Sequence, residues 1–344
     1  MKIGILADTH LGAKPYGLTE KEKDIYHSFV NAIKIILKEQ VDLVIVAGDL
    51  FDTKKISFES YYYANFLSVF DNKIFFIEGN HDEGVSEFFK ALNIQKQDIL
   101  PLKNNLYVAG VDYYHNHDVM RDKIKEIVNQ IDPKHTILVL HANLYEAMPY
   151  LKDKSKCLFV KDFEKFKFVV LGHIHNSMFL ENKYLVVGSL ERLDITNQEE
   201  RKIWFLDINE FNEINVYYRI IPTRKILQTD NKEEIFKAIR VEKLKPIVFY
   251  TGKPDDIKPS ELLLFEKHCL LFKFKKEVEQ TIDEMLNIEI QITKEKVEDL
   301  ILNFLQQFKV NSSLKDIFIK HFPNIVDAEK ELETWLAAEV SDAS

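Results

Sequence analysis

The sequence predicts an α/β fold, and three observations carry that prediction. Short apolar runs recur along the first half of the chain, segments with helical spacing lie between them, and five of the runs lead into a polar element. The runs are Ile3 to Ala7, Leu43 to Ala47, Ile74 to Ile77, Ile137 to Leu140 and Phe168 to Leu171. They are rich in Ile, Val and Phe and bounded by polar residues or glycine, as strands buried on both faces are. The polar elements are Asp8-Thr9-His10, Gly48-Asp49-Leu50-Phe51-Asp52, Gly79-Asn80-His81-Asp82, Leu140-His141-Ala142 and Gly172-His173-Ile174-His175. Strand C-termini are where α/β folds build sites, because the strand fixes the backbone while the following loop aims side chains.

After the first motif, Ile25, Phe29, Ala32, Ile33 and Ile36 fall at helical spacing and predict an amphipathic helix that covers the sheet. Ser57 to Phe70 reads as a second helix, carrying Tyr61, Tyr62, Tyr63, Phe66, Leu67 and Phe70. That apolar content exceeds one core-facing stripe, which extra burial within one copy would explain. Beyond His175, strand-like runs at Tyr184 to Val187, Ile203 to Ile208 and Ile214 to Ile221 are expected to form the second sheet of a sandwich. A boundary is expected near Pro222-Thr223, so that residues 1–221 form the first domain. Residues 222–284, with signals broken by Pro246, Gly252-Lys253-Pro254 and Pro259, predict a small α/β cap. In residues 285–344, Val297, Leu300, Ile301, Phe304, Leu305 and Phe308 have helical spacing, and Leu314, Ile317, Phe318 and Phe322 form a second apolar cluster. These predict a C-terminal helical segment.

The polar elements explain themselves as metal chemistry. Carboxylate, imidazole and amide oxygen together suit Mn²⁺, Fe²⁺ or Zn²⁺, whereas the wealth of histidine argues against Mg²⁺ or Ca²⁺ and the lack of thiolate against a structural zinc knot. Two ions need a shared ligand, and the Asp49 carboxylate can give an oxygen to each. Asp8, His10 and His175 then close one site, and Asn80, His141 and His173 the other. His81 is the remaining histidine, free for proton transfer. Each piece has a bland reading: Gly-Asn-His-Asp is also a strand-ending turn, and a lone His141 is more often a core histidine. Their joint order at strand ends favours the metal reading. The six other histidines, including His27, His115, His117 and His268, read as surface or packing residues.

The set Asp8-x-His10, Gly48-Asp49-x-x-Asp52, Gly79-Asn80-His81-Asp82, His141 and Gly172-His173-x-His175 resembles the calcineurin-like metallophosphoesterase superfamily. Asp8-Thr9-His10-Leu11-Gly12, the helix from Glu22 to Phe29 and Gly188-Ser189-Leu190-Glu191-Arg192 narrow the resemblance to the DNA double-strand-break repair nucleases of the SbcD type. The resemblance implies a four-layer αββα metallophosphoesterase sandwich with a small α/β cap domain that positions DNA, and a C-terminal helical segment. It implies two divalent ions with Mn²⁺ activating, 3′-to-5′ exonuclease activity on duplex ends and endonuclease activity on single-stranded DNA. The implied partners are DNA, a second copy of the chain, and an SMC-like coiled-coil ATPase of the SbcC type that docks on residues 285–344. The chain departs from the bacterial pattern after Asp82, where Glu83-Gly84-Val85-Ser86 has no nearby arginine.

Composition agrees with this reading without producing it. A chain of 344 residues can hold one domain of about 200 residues plus smaller modules. It opens directly on a strand and a metal motif, and no apolar stretch reaches the roughly 20 residues of a membrane span, so a cytoplasmic protein is expected, and the resemblance implies one associated with the nucleoid. No Gly-x-x-x-x-Gly-Lys phosphate loop is present, so any ATP dependence must come from another polypeptide. A net charge of −9 resists a nucleic-acid role, since DNA binders usually present a basic face. Lysines nevertheless cluster at Lys14, Lys54 and Lys55, and from Lys152, Lys154 and Lys156 to Lys161, Lys165 and Lys167. Two alternatives remain on the ligand set alone: a phosphodiesterase or phosphatase acting on another substrate, and a non-catalytic dimeric scaffold for an ATPase.

Overall fold

The computed structural model describes residues 1–275, apart from Asn72, Glu83, Gly84, Asn93 and Lys152. The expected helical segment of residues 285–344 lies outside the described residues, as do the end of the expected cap and Glu83-Gly84. The chain begins with strand β1 (Lys2–Leu6), helix α1 (Thr19–Glu39), β2 (Leu43–Ala47), α2 (Phe58–Ala64), β3 (Ile74–Ile77) and α3 (Val85–Ala91). It continues through β4 (Ile99–Pro101), β5 (Tyr107–Val111), α4 (His117–Gln130), β6 (Thr136–His141), β7 (Phe168–Gly172), β8 (Met178–Leu180) and β9 (Tyr184–Val186). Then come β10 (Arg201–Ile208), β11 (Ile214–Ile221), β12 (Ile226–Thr229), α5 (Lys232–Val241), β13 (Ile247–Tyr250), α6 (Pro259–His268) and β14 (Leu271–Phe274).

Two sheets form the main body, one in the order β11-β10-β1-β2-β3 and the other β4-β5-β6-β7-β9-β8. Their side chains alternate as strand geometry requires. Ile3, Ile5, Leu43 and Ile45 meet Ile137, Val139, Phe168 and Val170 between the sheets. The opposite phase, Leu6, Val44 and Val46, meets Phe29, Ile33 and Ile36 of α1. On the far side, Leu138, Leu140, Val169 and Leu171 pack on Met120, Ile124 and Ile127 of α4. The body is therefore an αββα sandwich, and strands buried on both faces account for the nearly unbroken apolar runs. Among the described residues, no helix is long and apolar enough to cross a membrane.

Two expectations about elements are corrected. Only β9 joins the second sheet; Ile203 to Ile208 and Ile214 to Ile221 extend the first, with β10 antiparallel to β1 through pairs such as Ile5 with Trp204. The free edge of β1 would otherwise leave a row of backbone groups unpaired, and a strand-like run does not say which edge it will close. Ser57 to Phe70 is α-helical only over Phe58–Ala64 and tightens into a 3₁₀ turn over Asn65–Phe70. That turn repeats every three residues, so Ala64, Leu67 and Phe70 line up on the core, while Phe58 (88% exposed) and Tyr62 (57%) face outward.

Beyond β11, the parallel sheet β12-β13-β14 and its two helices enclose a separate core of Ile235, Val248, Tyr250, Ile257 and Phe265. Arg224, just before β12, reaches back to α1, where Asp24 accepts from its Nε and Nη2 at 2.6 and 3.0 Å. Both partners are buried, and Arg224 Nη1 also donates to Lys245 O at 2.6 Å. Breaking a buried pair leaves an uncompensated charge, whereas an exposed pair such as Lys2 with Glu39 adds little. Asp24→Ala is therefore expected to cost about 3–5 kcal/mol in urea unfolding, and the double replacement Asp24→Leu with Arg224→Met markedly less.

Candidate metal centre

The structure brings all eight expected site residues to one end of the two sheets. Asp8 and His10 follow β1, Asp49 follows β2, and Asn80 and His81 follow β3; His141 ends β6, and His173 and His175 follow β7. Backbone geometry at these turns is unusual: φ is +49° at Asp8, +45° at His10, +52° at Asp49 and +85° at His173. Left-handed backbone costs a residue with a Cβ roughly 1 kcal/mol or more and persists where the surroundings impose it, most often at functional sites. Gly79 serves a different need, because a Cβ there would fall on Asp49 Oδ1 and its backbone nitrogen.

Ligand atoms of Asp8, His10 and His175 lie within 4.8 Å of one another, as do those of Asp49, His141 and His173, and those of His10, Asp49 and His81. Asn80 Oδ1 completes the second group, 3.1 Å from His141 Nε2 and 2.8 Å from His173 Nδ1. One oxygen of Asp49, Oδ2, faces both groups, at 3.6 Å from His10 Nε2 and 3.3 Å from His141 Nε2.

Hydrogen bonds at the back of the rings select their tautomers. His141 Nδ1 donates to Ala47 O at 2.9 Å, which leaves Nε2 with a lone pair facing the Asp49 carboxylate. His10 Nδ1 donates to Asp52 Oδ1 at 3.2 Å, which likewise turns a bare Nε2 toward His175 Nε2, 3.1 Å away. Lone pairs so aimed repel unless a proton or a cation lies between them. Asp8 Oδ2 is buried with no hydrogen-bond partner, while its Oδ1 accepts from the His173 N–H at 2.8 Å. Buried acceptors of this kind call for a cation, and the donor set fits divalent metal ions.

The metal-free electrostatics report the same deficit of positive charge. Burial pushes the Asp8 carboxyl up to about 6, helped by the Asp49 charge. Burial opposes a charged His141, but its hydrogen bond to Asp49 prevails and raises it to about 9. Asp49 is correspondingly held below the usual carboxylate range, its bond to His141 outweighing burial. Burial and neighbouring histidines take His173 down to about 3 and His175 to about 4, so both rings are neutral and able to ligate.

Residues 1–177 match the model of the calcineurin-like phosphoesterase family. The chain belongs to that family. It is a metal-dependent phosphodiesterase. Among its relatives is a DNA double-strand break repair protein Mre11 of Saccharolobus solfataricus, 24% identical over 368 residues that span 94% of this chain and 95% of the relative. Proteins of the same name from Sulfurisphaera tokodaii and Methanocaldococcus jannaschii are 26% and 27% identical over 87% and 71% of this chain, and over 87% and 74% of their own lengths.

Two carboxylates of this calcineurin-like phosphoesterase acquire roles that spacing did not assign. Asp52 accepts from His10 through its side chain, and its carbonyl accepts from His81 Nδ1 at 2.7 Å. Asp82 accepts from the N–H groups of Leu50 and Gly79 through Oδ2 and of Phe51 through Oδ1, at 3.1–3.2 Å, which ties two ligand loops together. Both stand within the polar elements of residues 48–52 and 79–82, and that position beside Asp49 and Asn80 was the available signal. The lysine clusters are more ordinary: Lys14 pairs with Glu22 at 3.2 Å, Lys156 with Asp153 at 3.6 Å, and Lys154 and Lys161 lie over Tyr145 and Phe159. Asp82→Ala leaves three buried N–H groups without their acceptor and is expected to lower stability by about 2–4 kcal/mol. Calorimetry of the metal-free variant checks this, and metal titration is expected to show weakened binding in the fraction that folds.

Proposed function

We propose that this phosphodiesterase is a two-metal DNA nuclease of double-strand-break repair, with Mn²⁺ as its activating ion. The observation that carries the reading is the single Asp49 oxygen facing both histidine groups, together with similarity along most of the chain to repair proteins named Mre11. In this reading Asp8, His10 and His175 would hold one ion, Asn80, His141 and His173 the other, and Asp49 would be shared between them. Divalent ions bound there would supply Lewis acidity and positive charge at the scissile phosphate and would lower the pKa of water. The chain's own residues do the rest. Asp52 O accepts from His81 Nδ1, so Nε2 is the nitrogen available to the substrate, and in the doubly protonated ring its N–H would donate to a phosphate oxygen or pass its proton to the leaving sugar oxygen. The bond from the His81 N–H to Asp49 Oδ1, at 2.9 Å, fixes that ring relative to the bridge. The activities proposed are 3′-to-5′ cleavage at duplex ends and endonucleolytic cleavage of single strands.

A second reading, hydrolysis of a smaller phosphodiester, is favoured by the net charge of −9. Comparing bis-p-nitrophenyl phosphate with end-labelled DNA separates the two, since a nuclease must cut the DNA in Mn²⁺. Within the first reading, Asp49→Ala is expected to lose both ions, and His81→Gln to keep them while turnover falls about 10²–10⁴-fold. Elemental analysis beside the DNA assay checks both; two full-occupancy ions without Asp49 would reject the bridge.

Residues 222–284 are proposed as the cap that positions DNA, and residues 285–344 as the docking segment for an SMC-like ATPase. Self-association is proposed through the outward aromatic face of α2, where Phe58, Tyr61 and Tyr62 are exposed. Glutamates at Phe58 and Tyr62 are expected to give a folded monomer in sedimentation velocity, because an exposed charge carries little penalty once the second copy is gone. An unchanged dimer would remove this face from the interface.

A further inference from the structure

Tyr113, two residues beyond β5, stands against the centre without belonging to the ligand set. Its N–H donates to Glu78 O at 2.9 Å, and Asp112 Oδ1 accepts from the Glu78 N–H at 2.8 Å. This double tie locks the Tyr113 loop to the element that carries Asn80 and His81. The Tyr113 ring stacks on His173, centroids 5.7 Å apart at 26°, and stands edge-on to His141 at 6.1 Å and 82°. Its hydroxyl lies 3.4 Å from Nδ1 of His115, whose ring is exposed and edge-on at 5.2 Å.

A stacked ring is enough to hold His173, but it does not account for the outer end of the pair. A phenol and an imidazole, both hydrogen-bond donors, sit together at the solvent side of a rigid loop, one aromatic ring away from the ligand rings. The Tyr113 ring is centred 5.7 Å from that of His173, so the pair lies beside the ligand rings, where the next phosphate of a strand held there would pass.

We propose that Tyr113 and His115 form a subsite for the phosphate flanking the scissile one in a single-stranded nucleic acid, donating hydrogen bonds to its non-bridging oxygens. The inference rests on the nuclease reading and makes Tyr113 and His115 determinants of substrate length. It is tested with the full chain loaded with Mn²⁺, comparing the wild type with Tyr113→Phe, which keeps the stack, and His115→Ala. Michaelis parameters are measured on a short oligothymidylate and on bis-p-nitrophenyl phosphate, with metal content by elemental analysis. Each variant is expected to raise KM for the oligonucleotide about tenfold relative to KM for the small diester, the size of one lost hydrogen bond to a charged group, with little change in kcat. Equal shifts on the two substrates, no shift on either, or a loss of activity that tracks lost metal would overturn the subsite. A wild-type chain that hydrolyses the small diester but not the oligonucleotide would instead defeat the nuclease reading, and the subsite with it.

Discussion

Two carboxylates buried where two sheets meet govern the rest of the molecule. Asp8 and Asp49 lie at the C-terminal edge of the first sheet, almost without solvent contact, and Asp8 Oδ2 has no hydrogen-bond partner. A charge so placed is tolerable only beside opposite charge. The second sheet answers with His141, His173 and His175, and the backbone of one sheet fixes the ring of the other through the bond from His141 to Ala47 O. The sandwich is thus held together by apolar packing along its length and by electrostatic need at one end. Left-handed backbone at Asp8, His10, Asp49 and His173 is the cost of aiming those groups inward, and the paired loops around Asp82 keep it from relaxing.

A second polar system extends from this centre through the interior. Arg201, itself buried, donates to His175 O at 2.7 Å, and the Ser189 N–H donates to the same carbonyl at 3.0 Å. From there Glu191 accepts from Lys21 at 2.8 Å and from Ser28 at 2.7 Å, and Lys21 lies on the helix whose Asp24 pairs with Arg224. Such a network stabilises little against a well-packed apolar core, but it specifies: each member has a partner only in this arrangement. Its consequence for function is a continuous bonded path from the strand after the metal-site loops to the root of the small parallel sheet.

The acidic balance of the chain reads differently once the site is seen. Asp8, Asp49, Asp52 and Asp82 contribute to the net charge, yet Asp8 and Asp49 face the histidine groups, Asp52 orients His10 and Asp82 ties two loops together. Divalent ions at the centre reverse the local sign, which is the sign a phosphate meets. Surface lysines with carboxylate or aromatic neighbours add a general, salt-sensitive attraction at most.

How much of this was legible in the sequence depended on the range of the information. Unbroken apolar runs are local, so β2 and β3 were read to the residue and β1, β6 and β7 to within one residue at each end. Ligand types sit next to those runs, so the eight residues that meet at the centre could be named from spacing and chemistry. Short β4 and β8, by contrast, carry three residues each, too few for a pattern, and β5 is interrupted by Gly110. Sheet membership was not local either: Ile203 to Ile208 looks the same whichever edge it closes, and only the exposed flank of β1 decided it. The same holds for Asp52 and Asp82, whose roles depend on which N–H groups the loops bring within 3.2 Å, and for Tyr113, whose place beside His173 arises from a pairing between loops far apart in the chain. The sequence by itself determined the strands, the residue types at their ends and hence the chemistry. Tertiary structure alone decided which sheet each strand joined and which donor met each acceptor, because those depend on contacts between segments that carry no mark of one another.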